Sequence, residues 1–343
     1  MKLFKASLEY HHNRFEEILL QLKETSDFFE TRYIDLGIKM VRVLIFAKGF
    51  VPMLEKQLTW SLRDKAERWD STIVLWHDPD LAGKYPEPIQ GLNLECREVV
   101  SINDNPGIFR GFDALTDTYY YSVYDLAPEE FIKQGHILVK TLYDILKTPT
   151  SNLVHGACVG MDGKGILFCA RGQRGKSTLT VLSLLKGFEY VSDDYLVLSK
   201  EGDQLYTYPI YSIITLSPTM YNELYDELDG TRFVSNNARK DKYVLNIANC
   251  HGSFRSRYPV KVCMFPEIVS DPEPSIVRIE DAMKGRAITQ LAHSTMMQMN
   301  DLQDNATTRK LMDMVRGEEY YQIRLCRDIH KNVEALREFV KTL

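Results

Sequence analysis

The chain has 343 residues, a net charge of −5, 44% apolar side chains and 26% charged ones. This composition excludes long disorder and a chain-wide affinity for polyanions, and the length allows two domains. No apolar run reaches the roughly 18 residues that span a bilayer as a helix, and the first residues lack a signal-peptide core. The expectation is a cytoplasmic protein with neither a nucleic-acid nor a membrane partner. Cys96, Cys158, Cys169, Cys250, Cys263 and Cys326 include no Cys-x-x-Cys pair and read as reduced, mostly buried thiols.

The first 30 residues contain an amphipathic helix with Phe15, Ile18, Leu19 and Leu22 on one face. Alternating apolar positions over 33–47 predict two strands or one bent strand. Pro52 then marks a first helical turn, with Leu54, Leu58 and Leu62 at helical spacing. Residues 71–76 read as a buried strand. His77-Asp78 and the proline-rich stretch to Pro88 read as turn and loop. Residues 92–100 and 107–124 are strand-rich and include Tyr119, Tyr120, Tyr121 and Tyr124, read as half-buried sheet. A helix is expected over 128–147, with Phe131, Leu138, Leu142 and Ile145 on one stripe and Pro149 beyond it. The domain junction is placed at its start, giving a mixed α/β N-terminal domain over 1–127 and a second domain over 128–343.

The chemistry concentrates between residues 153 and 200. Residues 153–160 read as one strand, turned by Asp162-Gly163 into an antiparallel return over 166–169. Ala170, Arg171, Gly172, Gln173, Arg174, Gly175, Lys176, Ser177 and Thr178 follow, and then a helix over 179–186. Strand, Gly-containing turn ending in Gly-Lys-Ser and helix is the layout of a phosphate-binding loop, although Ala170 stands where its first Gly belongs. Gly172 and Gly175 would turn backbone N–H groups toward phosphates, Lys176 would add a cation, and the Ser177 hydroxyl would ligate Mg²⁺. Asp193-Asp194 follows the next strand, on the side where open α/β sheets bind ligands. One aspartate can hold Mg²⁺, and the other can orient or deprotonate an acceptor hydroxyl. Arg239-Lys240-Asp241-Lys242 is either a solvated loop or, through Arg239 or Lys242, a contact to the transferred phosphoryl group. A last helix is expected over 332–343.

His155-Gly156, the hairpin, Gly175-Lys176-Ser177 and the run Gly187 to Asp194 together resemble the C-terminal catalytic domain of HPr kinase/phosphorylase. The resemblance implies an α/β (α+β) fold with a P-loop and ATP and Mg²⁺ as cofactors. It makes His155 the histidine beside the loop, Lys176 the phosphate-binding lysine and Ser177 a metal ligand. Asp194 becomes the carboxylate that takes the hydroxyl proton, with Asp193 beside it. The downstream Gly-containing signature with a metal-binding Glu is missing. Residues 208–216 stand there instead. The chain looks closer to HPr-kinase-like proteins associated with peptide modification, through Tyr211 to Leu216 and Leu291-Ala292-His293-Ser294-Thr295. Some of these phosphorylate the C-terminal Ser of a lasso-peptide precursor. The resemblance therefore implies a kinase whose partner is a peptide or protein with an acceptor Ser, and it allows a homo-oligomer. The alternatives are a nucleotide-binding sensor without transfer activity and a kinase for a free amino acid.

Overall fold

The computed structural model describes residues 2–79, 99–100, 108–124, 126, 136–170, 172–228, 234–239, 242–247, 253–299, 301–302 and 304–343. Residues 2–11, 14, 99–100 and 234–239 are described by backbone alone. Arg171, Lys240, Asp241, Cys96, Cys250, Phe131 and the loop over 80–98 lie outside the described residues. The chain divides into two compact units, Met1–Thr141 and Leu142–Leu343. The expected junction at 127/128 lies 14 residues before this division.

The first unit begins with α1 (Lys2–Thr25), β1 (Glu30–Asp35), β2 (Met40–Ile45) and α2 (Phe50–Gln57). It continues with β3 (Leu62–Arg63), β4 (Ser71–His77), β5 (Val99–Val100), β6 (Ile108–Asp113) and β7 (Thr118–Val123). The sheet order is β3-β1-β2-β4-β7-β6-β5, parallel only where β4 meets β2 and β7. Adjacent tyrosines on β7 point to opposite faces, as strand geometry requires. Tyr120 stacks on Phe15 of α1, and Tyr121 meets Phe50 of α2 edge-on. The unit is therefore a sheet with a helix on each face. Gly111 makes room for Phe15, because a Cβ there would lie 2.6 Å from its ring. Burying Phe15 contributes roughly 1.5–3 kcal/mol. Tyr119, Tyr120 and Tyr121 are all buried and Tyr124 is exposed beyond the end of β7, so none of the four fits the half-buried reading. Leu62 is a strand residue, because α2 stops at Gln57 and Leu58 caps it.

The helix α3 (Val139–Leu146) starts where Leu138 takes a positive φ of 61°. A left-handed residue cannot continue a helix, so the expected stretch over 128–147 is helical only from 139 among its described residues. The second unit then runs β8 (Ser151–His155), β9 (Ala157–Met161), β10 (Lys164–Phe168), α4 (Lys176–Leu185), β11 (Glu189–Ser192), β12 (Tyr195–Glu201), β13 (Gln204–Pro209), β14 (Ile213–Leu216) and α5 (Pro218–Glu223). Next come β15 (Val234–Arg239), β16 (Lys242–Asn246), β17 (Tyr258–Ile268), β18 (Ser275–Arg278), α6 (Asp281–Met299), α7 (Asn305–Val315), β19 (Glu319–Leu325) and α8 (Ile329–Thr342). The main sheet has the order β11-β9-β10-β17-β13-β12-β8, with β19 paired to β17 and β18 to β19. It is mixed: β17 runs parallel to both β10 and β19, and the hairpins are antiparallel. A separate three-stranded sheet has the order β14-β16-β15.

The single strand expected over 153–160 is two strands. Gly156 breaks it: β8 pairs with β12, whereas β9 pairs with β10 and β11. At the corner the Gly156 N–H donates to the Asp194 carbonyl at 3.0 Å. The strand switch thus joins His155 to the aspartate pair. The helix α4 begins at Lys176 rather than at 179 and packs on β9, β11, β14 and α8.

Candidate functional site

Gly175 is the N-cap of α4 and has a φ of 88°, a conformation that glycine adopts without steric cost. An added Cβ would also lie 2.6 Å from Leu325 Cδ1. Gly172 is different, since its φ is not positive and a Cβ there would meet open space. Gln173 supplies the loop's other left-handed turn, at φ 63°. Ala170 is fully buried and has no positive φ, so its methyl sits in ordinary backbone geometry. Gln173 and Arg174 are exposed, and Ser177 and Thr178 are half-buried.

Lys176 is buried at 5% exposure, and its ammonium donates to the Ala170 carbonyl at 2.6 Å. The side chain thus folds back across the loop. Burial lowers its pKa, opposed by the charges of Asp194 and Asp193, and the Lys242 charge lowers it further. Lys242, the first residue of β16, therefore belongs to the electrostatic surroundings of the loop. Arg239 is the last residue of β15 and stands opposite Lys242 in register.

Asp193 is fully buried, and neither carboxylate oxygen has a hydrogen-bond partner among the described residues. Burial, then the neighbouring Asp194 charge, pushes its pKa up to about 7. The Ser177 hydroxyl and the Lys176 ammonium pull it back. A buried carboxylate with two unsatisfied oxygens is costly unless a cation or proton joins it. With Ser177 beside it, this donor set fits a hard divalent cation such as Mg²⁺. Among the described residues no group of three His, Cys, Asp or Glu side chains forms a complete metal cage. Mg²⁺ binds through one or two protein ligands plus phosphate and water, so it needs no such cage.

Asp194 lies beyond β11 with a φ of 60°. Asp194 thus sits in a left-handed turn after the strand. Thr215 Oγ1 donates to Asp194 Oδ2 at 3.2 Å, and His155 Nε2 is 3.9 Å from Asp194 Oδ1. His155 is buried, with Nδ1 2.7 Å from Ser294 Oγ and its backbone N–H donating to Thr295 Oγ1 at 3.0 Å.

His155, Lys176, Ser177, Asp193 and Asp194 are thus brought to one place, with Lys242 near enough to act on Lys176. Sequence reasoning gave no role to Thr215, Ser294 or Thr295. The only signal available was their place in two short motifs of the resembled group. Cys158, Cys169, Cys263 and Cys326 are buried free thiols, and burial raises the Cys158 thiol to about 12. No helix among the described residues is long and apolar enough to cross a membrane.

No protein-family model matches the chain, and no curated protein matches it. Among solved structures it is similar to the Hpr(Ser) kinase/phosphatase from Coxiella burnetii. The identity is 12%, the match covers 56% of this chain and 97% of that one, and the TM-score is 0.31.

Proposed function

We propose that this chain is an ATP- and Mg²⁺-dependent kinase that transfers the γ-phosphoryl group to a hydroxyl, that of a Ser in a peptide or protein. One observation carries the reading: a buried, unsatisfied Asp193 beside Ser177 and Lys176 at a helix N-terminus, next to an Asp194 that faces His155. The first group suits a metal and phosphates, and the second suits a hydroxyl that must lose a proton.

The loop N–H groups and Lys176 hold the phosphates and neutralise their charge. Asp193 and Ser177 would hold Mg²⁺, which supplies charge neutralisation at the β- and γ-oxygens when bound. Asp194 accepts the proton of the acceptor hydroxyl as its oxygen bonds to the γ-phosphorus. The bond from that phosphorus to the ADP oxygen breaks. Lys242 and Arg239 are assigned to the phosphoryl side. The resembled peptide-tailoring kinases favour a C-terminal Ser of a precursor peptide as acceptor.

The test is transfer of label from γ-³²P-ATP to Ser-containing peptides, including ones ending in Ser. Labelled phosphoserine is expected, with the label lost in Lys176→Met. Tight ATP binding with no transfer to any peptide would replace this reading with a nucleotide sensor.

A further inference from the structure

We infer that Ser294 is a positioning residue that keeps a proton on His155 Nδ1 and so presents Nε2 to Asp194. Its hydroxyl lies between two groups, His155 Nδ1 at 2.7 Å and the Ala170 carbonyl, to which it donates at 3.4 Å. A hydroxyl has one proton. Once that proton is given to the Ala170 carbonyl, which can only accept, the oxygen must accept from His155 Nδ1–H. The ring nitrogen left over is Nε2, and it faces Asp194 Oδ1 at 3.9 Å. The Ala170 carbonyl also takes the Lys176 ammonium. A chain of polar contacts thus runs from the loop lysine through Ala170 and Ser294 to His155.

The neighbour of Ser294 on α6 fixes the other half of the histidine. Thr295 Oγ1 donates to the Leu291 carbonyl one turn back at 3.2 Å and accepts the His155 backbone N–H. Among the described residues the strand β8 pairs only with β12, and this N–H finds its partner in the helix. Backbone and ring of one residue are therefore held by two consecutive side chains, all four groups buried. The tautomer matters because the nitrogen beside a reacting group can accept a proton only if the other nitrogen already holds one.

The proposal rests on the kinase reading for its purpose but not for its test. Selective ¹⁵N-histidine labelling of the ligand-free protein reads the protonation of each ring nitrogen, with His155 assigned from His155→Gln. Nδ1 is expected to give the signal of a protonated nitrogen from pH 6 to pH 9. Ser294→Ala and the volume-preserving Ser294→Cys should lose it at high pH, and Ser294→Thr should retain it. In transfer assays the first two variants should lower kcat by up to about 100-fold with KM for ATP nearly unchanged, the cost of displacing a catalytic group by about 1 Å. An unprotonated Nδ1 at pH 9 in the wild type, or the same signal in Ser294→Ala and wild type, would overturn the assignment. If the wild type transfers phosphate to nothing, the kinase reading falls and the nitrogen signals still decide the role of Ser294.

Discussion

His155 Nε2 stands 3.9 Å from Asp194 Oδ1, while the N–H of the residue after His155 bonds the Asp194 carbonyl. The two residues are 39 positions apart and are joined through backbone as well as side chain. Thr215 holds the far carboxylate oxygen. A carboxylate so fixed loses little freedom when a hydroxyl approaches. Asp194→Asn keeps the shape and removes the proton acceptor. We expect it to bind ATP as the wild type does and to lose about 10²–10⁴-fold in transfer rate. Single-turnover measurements check this, and wild-type turnover would remove Asp194 from the chemistry.

Asp193 behaves differently, because it is fully buried and what Ser177 and Lys176 offer its carboxylate does not offset the cost of burying the charge. Its pKa of about 7 lies above that of an unfolded aspartate, so the folded state binds more protons between about pH 4 and pH 7. Stability of the ligand-free protein therefore falls as pH rises through that window. Asp193→Asn, which carries no charge, should remove this fall and make the ligand-free protein more stable at pH 8, by a few kcal/mol at most. Mg²⁺ should then give the wild type, and not the variant, a rise in unfolding temperature. Equal pH dependence of unfolding in the two proteins would contradict this account.

Two loop glycines that look alike in sequence should respond differently. Gly175→Ala forces a Cβ into a left-handed conformation costing about 1–2 kcal/mol and pushes it toward Leu325. It should weaken ATP binding by tilting the first turn of α4. Gly172→Ala meets open space at an ordinary φ and should leave the ligand-free stability within about 0.5 kcal/mol. Thermal unfolding of the two variants, with and without ATP, separates them.

The loop, the helix after it and the aspartate pair were legible because short-range chemistry writes them. Gly-Lys-Ser fixes a turn into a helix, and an acidic pair after a strand marks the strand's C-terminal end. The break at Gly156 was not legible, since Leu153 to Gly160 is apolar apart from His155 and its two glycines, and one strand explains it as well as two. The pairing partners decide it, and they lie in β12 and in β10 and β11. The same holds for Ser294 and Thr295, whose meaning depends on a helix some 140 residues from the histidine it holds. Leu138 shows the opposite failure: a good helix former is left-handed here, and local propensity gave no warning.

In the first unit α1 is tied to the sheet by His12, whose Nδ1 lies 2.8 Å from Asp113 Oδ2, one helical turn from the Phe15 contact. Asp113 is buried and also accepts from Thr116 and from the Leu115 N–H. The hydrogen bond to Asp113 raises the His12 pKa, aided by the charges of Asp113 and Glu16 against the cost of burial. A histidine raised in the folded state contributes stability that is complete below its unfolded pKa of about 6.5. That contribution is lost as pH rises through the folded value. His12→Gln should therefore loosen α1 most near pH 6, and the difference from wild type should shrink by pH 9. Hydrogen exchange of the α1 amides reads this locally. An offset that is the same at both pH values would mean that packing around His12, and not its charge, holds the helix.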